Sequence, residues 1–293
     1  MESGRCGEEK EVTLPSMLTL ILVFSATFFE EVSSVFTKKG ISDRQESIYT
    51  AGFLNLFFVT LFFLAIILYG GNFIFSLQSL PVFGLRILLE FVILTIGLRA
   101  VALADRTTFS FIHSGTIPLL LAIDIVLGYA ISPAQLAGIL LFCGIILILA
   151  FSKGIEKRGA LNVALLTLGA AATISLFKYD ITHYNSLEAG QFMANAILLV
   201  YLFFYNLFVR KENSFRAFRM IGFFTQSFTA GLAAVVVSFA YLYGAASIIT
   251  ALKRIGEVSW SLLSGRIYFH EKHILIKLFL VLMLGVSIVL ILP

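Results

Sequence analysis

The sequence predicts an all-α membrane protein whose ten transmembrane helices form two inverted five-helix repeats. Three observations carry that expectation: a composition too apolar for a soluble domain, ten apolar runs of spanning length, and a weak self-similarity between the two halves. Of the 293 residues, 59% are hydrophobic and 13% charged, with 30 Phe and a mean hydropathy of +0.98. Soluble domains carry about 45–50% apolar and about 25% charged residues. The apolar runs are solid Leu, Ile, Phe and Val rather than alternating, which excludes a β-barrel and leaves helices that satisfy their own backbone hydrogen bonds.

Residues 1–15 form a polar tail rich in Glu2, Glu8, Glu9 and Glu11, so no cleavable signal peptide is expected and the first apolar run stays as an anchor. A span needs roughly 20 apolar residues. Segments of that length cover 16–37, 47–69, 82–104, 107–128 and 134–152, which make the first repeat (16–152). After a basic linker (153–159), segments 160–178, 188–209, 219–244, 246–265 and 273–292 make the second repeat (160–293). The separators, such as Gly70-Gly71-Asn72 and Ser132-Pro133, are too short for a soluble domain. Laying segments 9 and 10 over segments 4 and 5 puts Gly256 on Gly115, Gly285 on Gly144 and Arg254 on His113, and a separate shift, one residue shorter, lays Lys178 at the end of segment 6 over Lys38 at the end of segment 1. Five helices per copy is an odd number, so the copies enter the membrane in opposite orientations, an arrangement common in secondary transporters.

Most Lys and Arg near helix ends fall in the odd-numbered connections, Lys38, Lys39, Arg44 and Arg106 among them. The side carrying both termini has only Arg5, Lys10 and Lys178. The positive-inside rule therefore places both termini on the non-cytoplasmic side, with the chain multi-pass in the plasma membrane. The net charge of +4 is no sign of nucleic acid, because the basic residues sit in short loops. Cys6 and Cys143 make neither a disulfide framework nor a metal site; Cys143 reads as a packing residue. His270-Glu271-Lys272-His273 is not a His-Glu-x-x-His helix and reads as an interfacial loop. No enzyme motif, metal site or cofactor site is expected.

Ionisable residues within the apolar runs are the sharpest signal, because each costs roughly 3 kcal/mol or more at the bilayer centre. Arg86 and Glu90 stand four apart on one helix face and read as a structural ion pair. Glu30 and Glu31 point about 100° apart, so at most one of them faces a central cavity squarely. Intramembrane carboxylates serve in proton relays, which makes that residue a proton-coupling candidate; pairing with Arg86 or Arg99 is the alternative. His113 is either a packed polar residue or, through its equivalence to Arg254, part of a binding site. Lys253, Arg254 and Glu257 lie within one apolar run. Glu257 can neutralise only one of the two cations well, so the other is expected to face a water-filled cavity and hold an anion, Arg bidentately or Lys as a point charge. Tyr241, Gln191 and Asn195 complete the expected solute-binding set. The stretches 169–172 and 230–234 are small-residue runs that suit close helix contacts.

Ala251-Leu252-Lys253-Arg254, Leu262-Leu263-Ser264-Gly265, Phe269-His270-Glu271 and Gly285 resemble a run of the drug/metabolite transporter superfamily, EamA type. In the first half, Ala102-Leu103, Pro118, Leu127-Gly128, Ser132-Pro133, Gln135 and Gly138 are similar to the matching run, with Tyr129 where that pattern has Glu. The resemblance implies a secondary transporter with a cavity lined by helices 1, 3, 4, 6, 8 and 9. The related triose-phosphate translocators have a Lys-Arg pair in helix 9 that holds phosphate and a His in helix 4, and Lys253, Arg254 and His113 are similar to those positions. Eukaryotic relatives have cytosolic termini, which the charge distribution here opposes. The expectation is alternating-access transport of a small polar solute, anionic or zwitterionic, driven by protons or a counter-substrate. An exporter of amphipathic cations or amino acids, using Glu30, Glu31 or Asp124, is the alternative. A membrane scaffold or sensor is the rival from another class.

Overall fold

The computed structural model describes residues 17–42, 47–104, 109, 112–128, 131–153 and 159–269, with single positions at 283, 286 and 290. Among them all regular structure is helical. The α-helices are α1 (Met17–Ser42), α2 (Ile48–Gly70), α3 (Leu80–Leu103), α4 (Thr116–Val126), α5 (Pro133–Lys153), α6 (Ala160–His183), α7 (Leu187–Phe204), α8 (Ile221–Ala240) and α9 (Ala246–Phe269). Among the described residues six segments are long and apolar enough to cross a membrane: Met17–Thr37, Ile48–Gly70, Leu77–Ala100, Ala160–His183, Leu187–Arg210 and Ile221–Ala240. The expected ten spans are thus met in part. The fourth is interrupted, because a turn at Gly115 separates helical residues 112–114 from α4. The ninth has the length but carries Lys253, Arg254 and Glu257. The tenth, with the His270–His273 stretch, the tail and Tyr129, lies outside the described residues apart from those single positions.

Local chemistry sets the helix ends. Ser47 caps α2, its hydroxyl accepting from the Thr50 N–H at 3.2 Å. Gly71, in the left-handed region (φ 67°), closes the other end by donating to Ile67 O, a conformation that costs other residues about 1 kcal/mol or more. Ser186 caps α7 in the same way as Ser47 caps α2, through the Ala189 N–H. α9 has a donor satisfied from elsewhere: the Asp124 carboxylate, at the end of α4, accepts from the Ser247 N–H at 2.7 Å. Asp124 is 1% exposed, so Asp124→Ala should cost about 1–3 kcal/mol by orphaning that N–H. Asp124→Asn, which keeps an acceptor, should cost less. Thermal unfolding of the two variants in detergent checks this ranking.

Among the described residues, helices adjacent in sequence barely touch, and α1 to α4 pack on helices of the second half. α1 runs along α8 and α9, α2 along α7 and α8, α3 along α6, and α4 against α6 and α9. These contacts come in exchanged pairs, since α1 on α8 is matched by α6 on α3, and α1 on α9 by α6 on α4. The small-residue runs serve as expected: a Cβ on Gly169 would meet Ile93 at 2.6 Å, and one on Gly231 would meet Phe58 and Phe62 at 2.8 Å. Two hydrogen-bonded seams tie the halves at opposite ends. At the Lys/Arg-rich end Glu212 accepts from Ser47 Oγ (2.5 Å) and Thr50 Oγ1 (3.0 Å). At the other end Ser186 N–H donates to Ile74 O (2.9 Å), Ser76 N–H to Asn185 Oδ1 (2.8 Å) and Asn185 Nδ2 to Ser79 Oγ (3.0 Å). Lys178, counted from sequence among the loop cations, is instead buried in α6 and donates to Tyr241 O at 2.5 Å.

Candidate functional site

A cavity of about 600 Å³ lies between the halves. Its wall comes from α1 (Glu30 to Thr37), the first half of α2, the second half of α3, residues 109 and 113, α7 (Gln191, Asn195), α8 and α9. The resemblance led to α6 as a wall helix; α2 and α7 line the space instead, because α6 is packed behind α3. Thr37, Ile48, Ala104 and Phe109 place the mouth at the Lys/Arg-rich end. Toward the other end the molecule is filled by a buried cluster that includes Ile117, Leu120, Phe142, Phe177, Tyr241, Ile248, Ile249 and Leu252.

The charged floor is a chain of alternating signs. Lys253 Nζ lies 3.0 Å from Glu30 Oε2 and 3.4 Å from Glu257 Oε1. Arg254 Nη1 lies 2.5 Å from Glu257 Oε2. The expectation that one cation would be left over is therefore corrected: Glu257 serves both cations, one through each oxygen, and Glu30 from α1 supplies the second carboxylate. Two cations and two anions balance, as a low-dielectric setting demands. Glu30 remains 39% exposed, to the cavity, whereas Arg254 is 11% exposed. Close approach of α1 and α9 makes the pairing possible. Gly256 rests on Thr27, where a Cβ would meet Oγ1 at 2.5 Å, and Trp260 Nε1 donates to Phe24 O at 3.2 Å.

Around this floor stand His113, Gln191 and Asn195, together with Glu31, so that both Glu30 and Glu31 line the cavity. His113 is buried, with Nδ1 3.3 Å from Thr167 Oγ1 and its ring edge-on to Phe109. Gln191 bridges the halves, accepting from Arg86 Nη2 at 3.0 Å and donating to Ser238 Oγ at 3.1 Å. Asn195 Nδ2 donates to Gln191 O at 2.8 Å. Ser33, Ser34, Asn55 and Ser238 also line the cavity. They were not on the expected list, since single polar residues in apolar runs look alike in sequence.

Tyr241 is not in the wall. It is 6% exposed, with its hydroxyl 2.8 Å from Thr250 Oγ1, because α8 ends there and turns it into the buried cluster. Asp124 likewise lies away from the cavity, bound to α9. Arg86 and Glu90 are paired as expected, at 3.7 Å, and neither is a wall residue. Arg86 is also held by Gln191 and stacks 4.8 Å from the Phe177 ring. Glu30 pairs with Lys253 rather than with Arg86 or Arg99; Arg99 is exposed.

No family model and no curated protein matches the chain. Among solved structures, the crystal structure of another protein overlays on it with a TM-score of 0.65, covering 92% of this chain and 97% of that one at 16% identity. At that identity the likeness is one of fold.

Proposed function

We propose that the chain is a secondary-active transporter of the drug/metabolite superfamily, EamA type, with ten helices in two inverted repeats, moving a small polar solute by alternating access. The observation that carries this reading is a one-ended cavity between the halves whose floor is a charge-balanced group, Glu30, Lys253, Glu257 and Arg254. The exchanged helix contacts support the inverted repeat. So do the matching seams, in which the capping serines of α2 and α7 are each held by a connection of the other half. The solute carries an acidic group and is anionic or zwitterionic. That group takes Lys253 or Arg254 in place of a carboxylate, with His113 beside it. Glu30, once displaced from Lys253, takes a proton and so couples transport to a proton gradient, or a counter-substrate returns in exchange.

A specific observation favours one rival, an exporter of amphipathic cations or amino acids: among the described residues that line the cavity, Glu30, Glu31 and Glu257 stand beside Lys253 and Arg254. Uptake into liposomes across a panel of metabolites separates the two. Inhibition by anionic competitors, and loss of uptake in Lys253→Ala and Arg254→Ala by about tenfold or more, is the expected result, since truncating one partner of a buried charge pair costs about 2–5 kcal/mol. Inhibition by cationic competitors alone supports the rival, and full transport by both variants removes the site assignment. A scaffold or sensor would carry no solute in the same assay.

A further inference from the structure

The connection from α7 to α8 is built from two short helical turns. A π-helical turn, Tyr205–Arg210, runs into Lys211 in the left-handed region (φ 56°) and then into a 3-10 turn, Ser214–Arg219. The elbow is tied internally: Glu212 N–H donates to Asn206 O at 2.9 Å, Asn206 Nδ2 to Ser214 Oγ at 2.8 Å, and Phe215 N–H to Asn213 Oδ1 at 3.1 Å. It is also wedged against α2, with Phe215 5.4 Å from Phe53 and Phe218 4.8 Å from Phe57, centroid to centroid.

On this rigid platform Arg210, Lys211, Arg216 and Arg219 are all exposed. The one carboxylate in the elbow, Glu212, is turned inward to Ser47 and Thr50 and lies 3.6 Å from Arg210. Flanking the cations are apolar side chains with equally high exposure, Phe208 at 69%, Met220 at 47% and Ile221 at 80%. They sit where the spans Leu187–Arg210 and Ile221–Ala240 end, which is the depth of the lipid headgroups.

We infer that this elbow is a binding site for anionic phospholipid, the four cations holding headgroup phosphates while Phe208, Met220 and Ile221 lie along the acyl chains. A basic cluster at the end of a span attracts anionic headgroups, each Lys or Arg adding a few-fold to affinity. What raises this one above a scattered basic loop is preorganisation. Hydrogen bonds and aromatic wedging fix the backbone before lipid arrives, so little ordering is paid for on binding. The inference is independent of which solute, if any, the cavity takes.

The test is mass spectrometry of lipid retained by the full chain in detergent, with phosphatidylglycerol and phosphatidylcholine offered together. The wild-type chain should retain phosphatidylglycerol preferentially. The Lys211→Gln/Arg216→Gln/Arg219→Gln variant should lose about fivefold of that preference per cation, while Lys211→Arg/Arg216→Lys/Arg219→Lys should keep it, which separates charge from any folding defect. Arg99→Gln, an exposed cation elsewhere, should leave the preference unchanged. Equal retention of both lipids by the wild type, or an undiminished preference in the triple Gln variant, overturns the inference. Displacement of phosphatidylglycerol by inorganic phosphate at matched concentration also overturns it, because it would identify a free-anion site instead.

Discussion

Lys253→Ala should be among the most destabilising single substitutions in the chain. It leaves the Glu30 carboxylate without its cation at 3.0 Å and removes the second partner of Glu257. Breaking a fully buried pair from one side costs about 3–5 kcal/mol; because Glu30 reaches cavity water, about 2–3 kcal/mol is expected here. Replacing both members, as Lys253→Met with Glu30→Gln, removes the orphaned charge and leaves the Arg254–Glu257 pair intact. Thermal unfolding in detergent should therefore show the double variant recovering most of what the single one loses. A double variant no more stable than Lys253→Ala would mean that the ion pair is not what holds α1 to α9.

Gly256→Val should be comparably severe, through sterics rather than charge. A Cβ at this position falls 2.5 Å from Thr27 Oγ1 and 3.1 Å from Thr27 Cβ and Cγ2, and Thr27 is fully buried. Overpacking of this kind costs about 1–3 kcal/mol. The larger consequence is functional, because pushing α9 away from α1 opens the gap that Lys253 spans to Glu30. Gly256→Ala combined with Thr27→Ala removes the closest of these contacts and should be better tolerated than Gly256→Val. Unfolding temperature and solute uptake, measured together on both variants, check this; unimpaired Gly256→Val would show that the helices do not need this closeness.

The segment positions were legible because apolar runs of about 20 residues have few alternative fates, and α2, α6, α7 and α8 fall close to their expected limits. Gly115 shows where that logic stops. Nothing in the hydropathy of 107–128 marks the turn that shortens α4. At the site, Lys253, Arg254, Glu257, Glu30 and Glu31 stand out in sequence because charge in an apolar run is conspicuous. Their pairing does not, since 223 residues separate Glu30 from Lys253 and the geometry that joins them depends on Gly256 meeting Thr27. Tyr241 was misjudged for a related reason: a polar tip on an apolar run says nothing about which way the last turn of α8 faces. The seams had a signal that could have been used. Ser47 and Ser186 each stand immediately before an apolar run, the place of a helix cap, and a hydroxyl that caps can also take a partner from another helix. Asp124 and Asn185 carried no such sign, because a partner on a distant segment leaves no trace in local spacing.

The central claim, that the Glu30–Lys253–Glu257–Arg254 floor is where solute binds, is tested most directly by counterflow in liposomes with Lys253→Met/Glu30→Gln. This variant keeps the cavity's shape and charge balance while removing the exchangeable ion pair. Every solute the wild-type chain exchanges should be lost, or slowed by at least about tenfold, in a variant that remains folded. Exchange at the wild-type rate for those solutes would contradict the account.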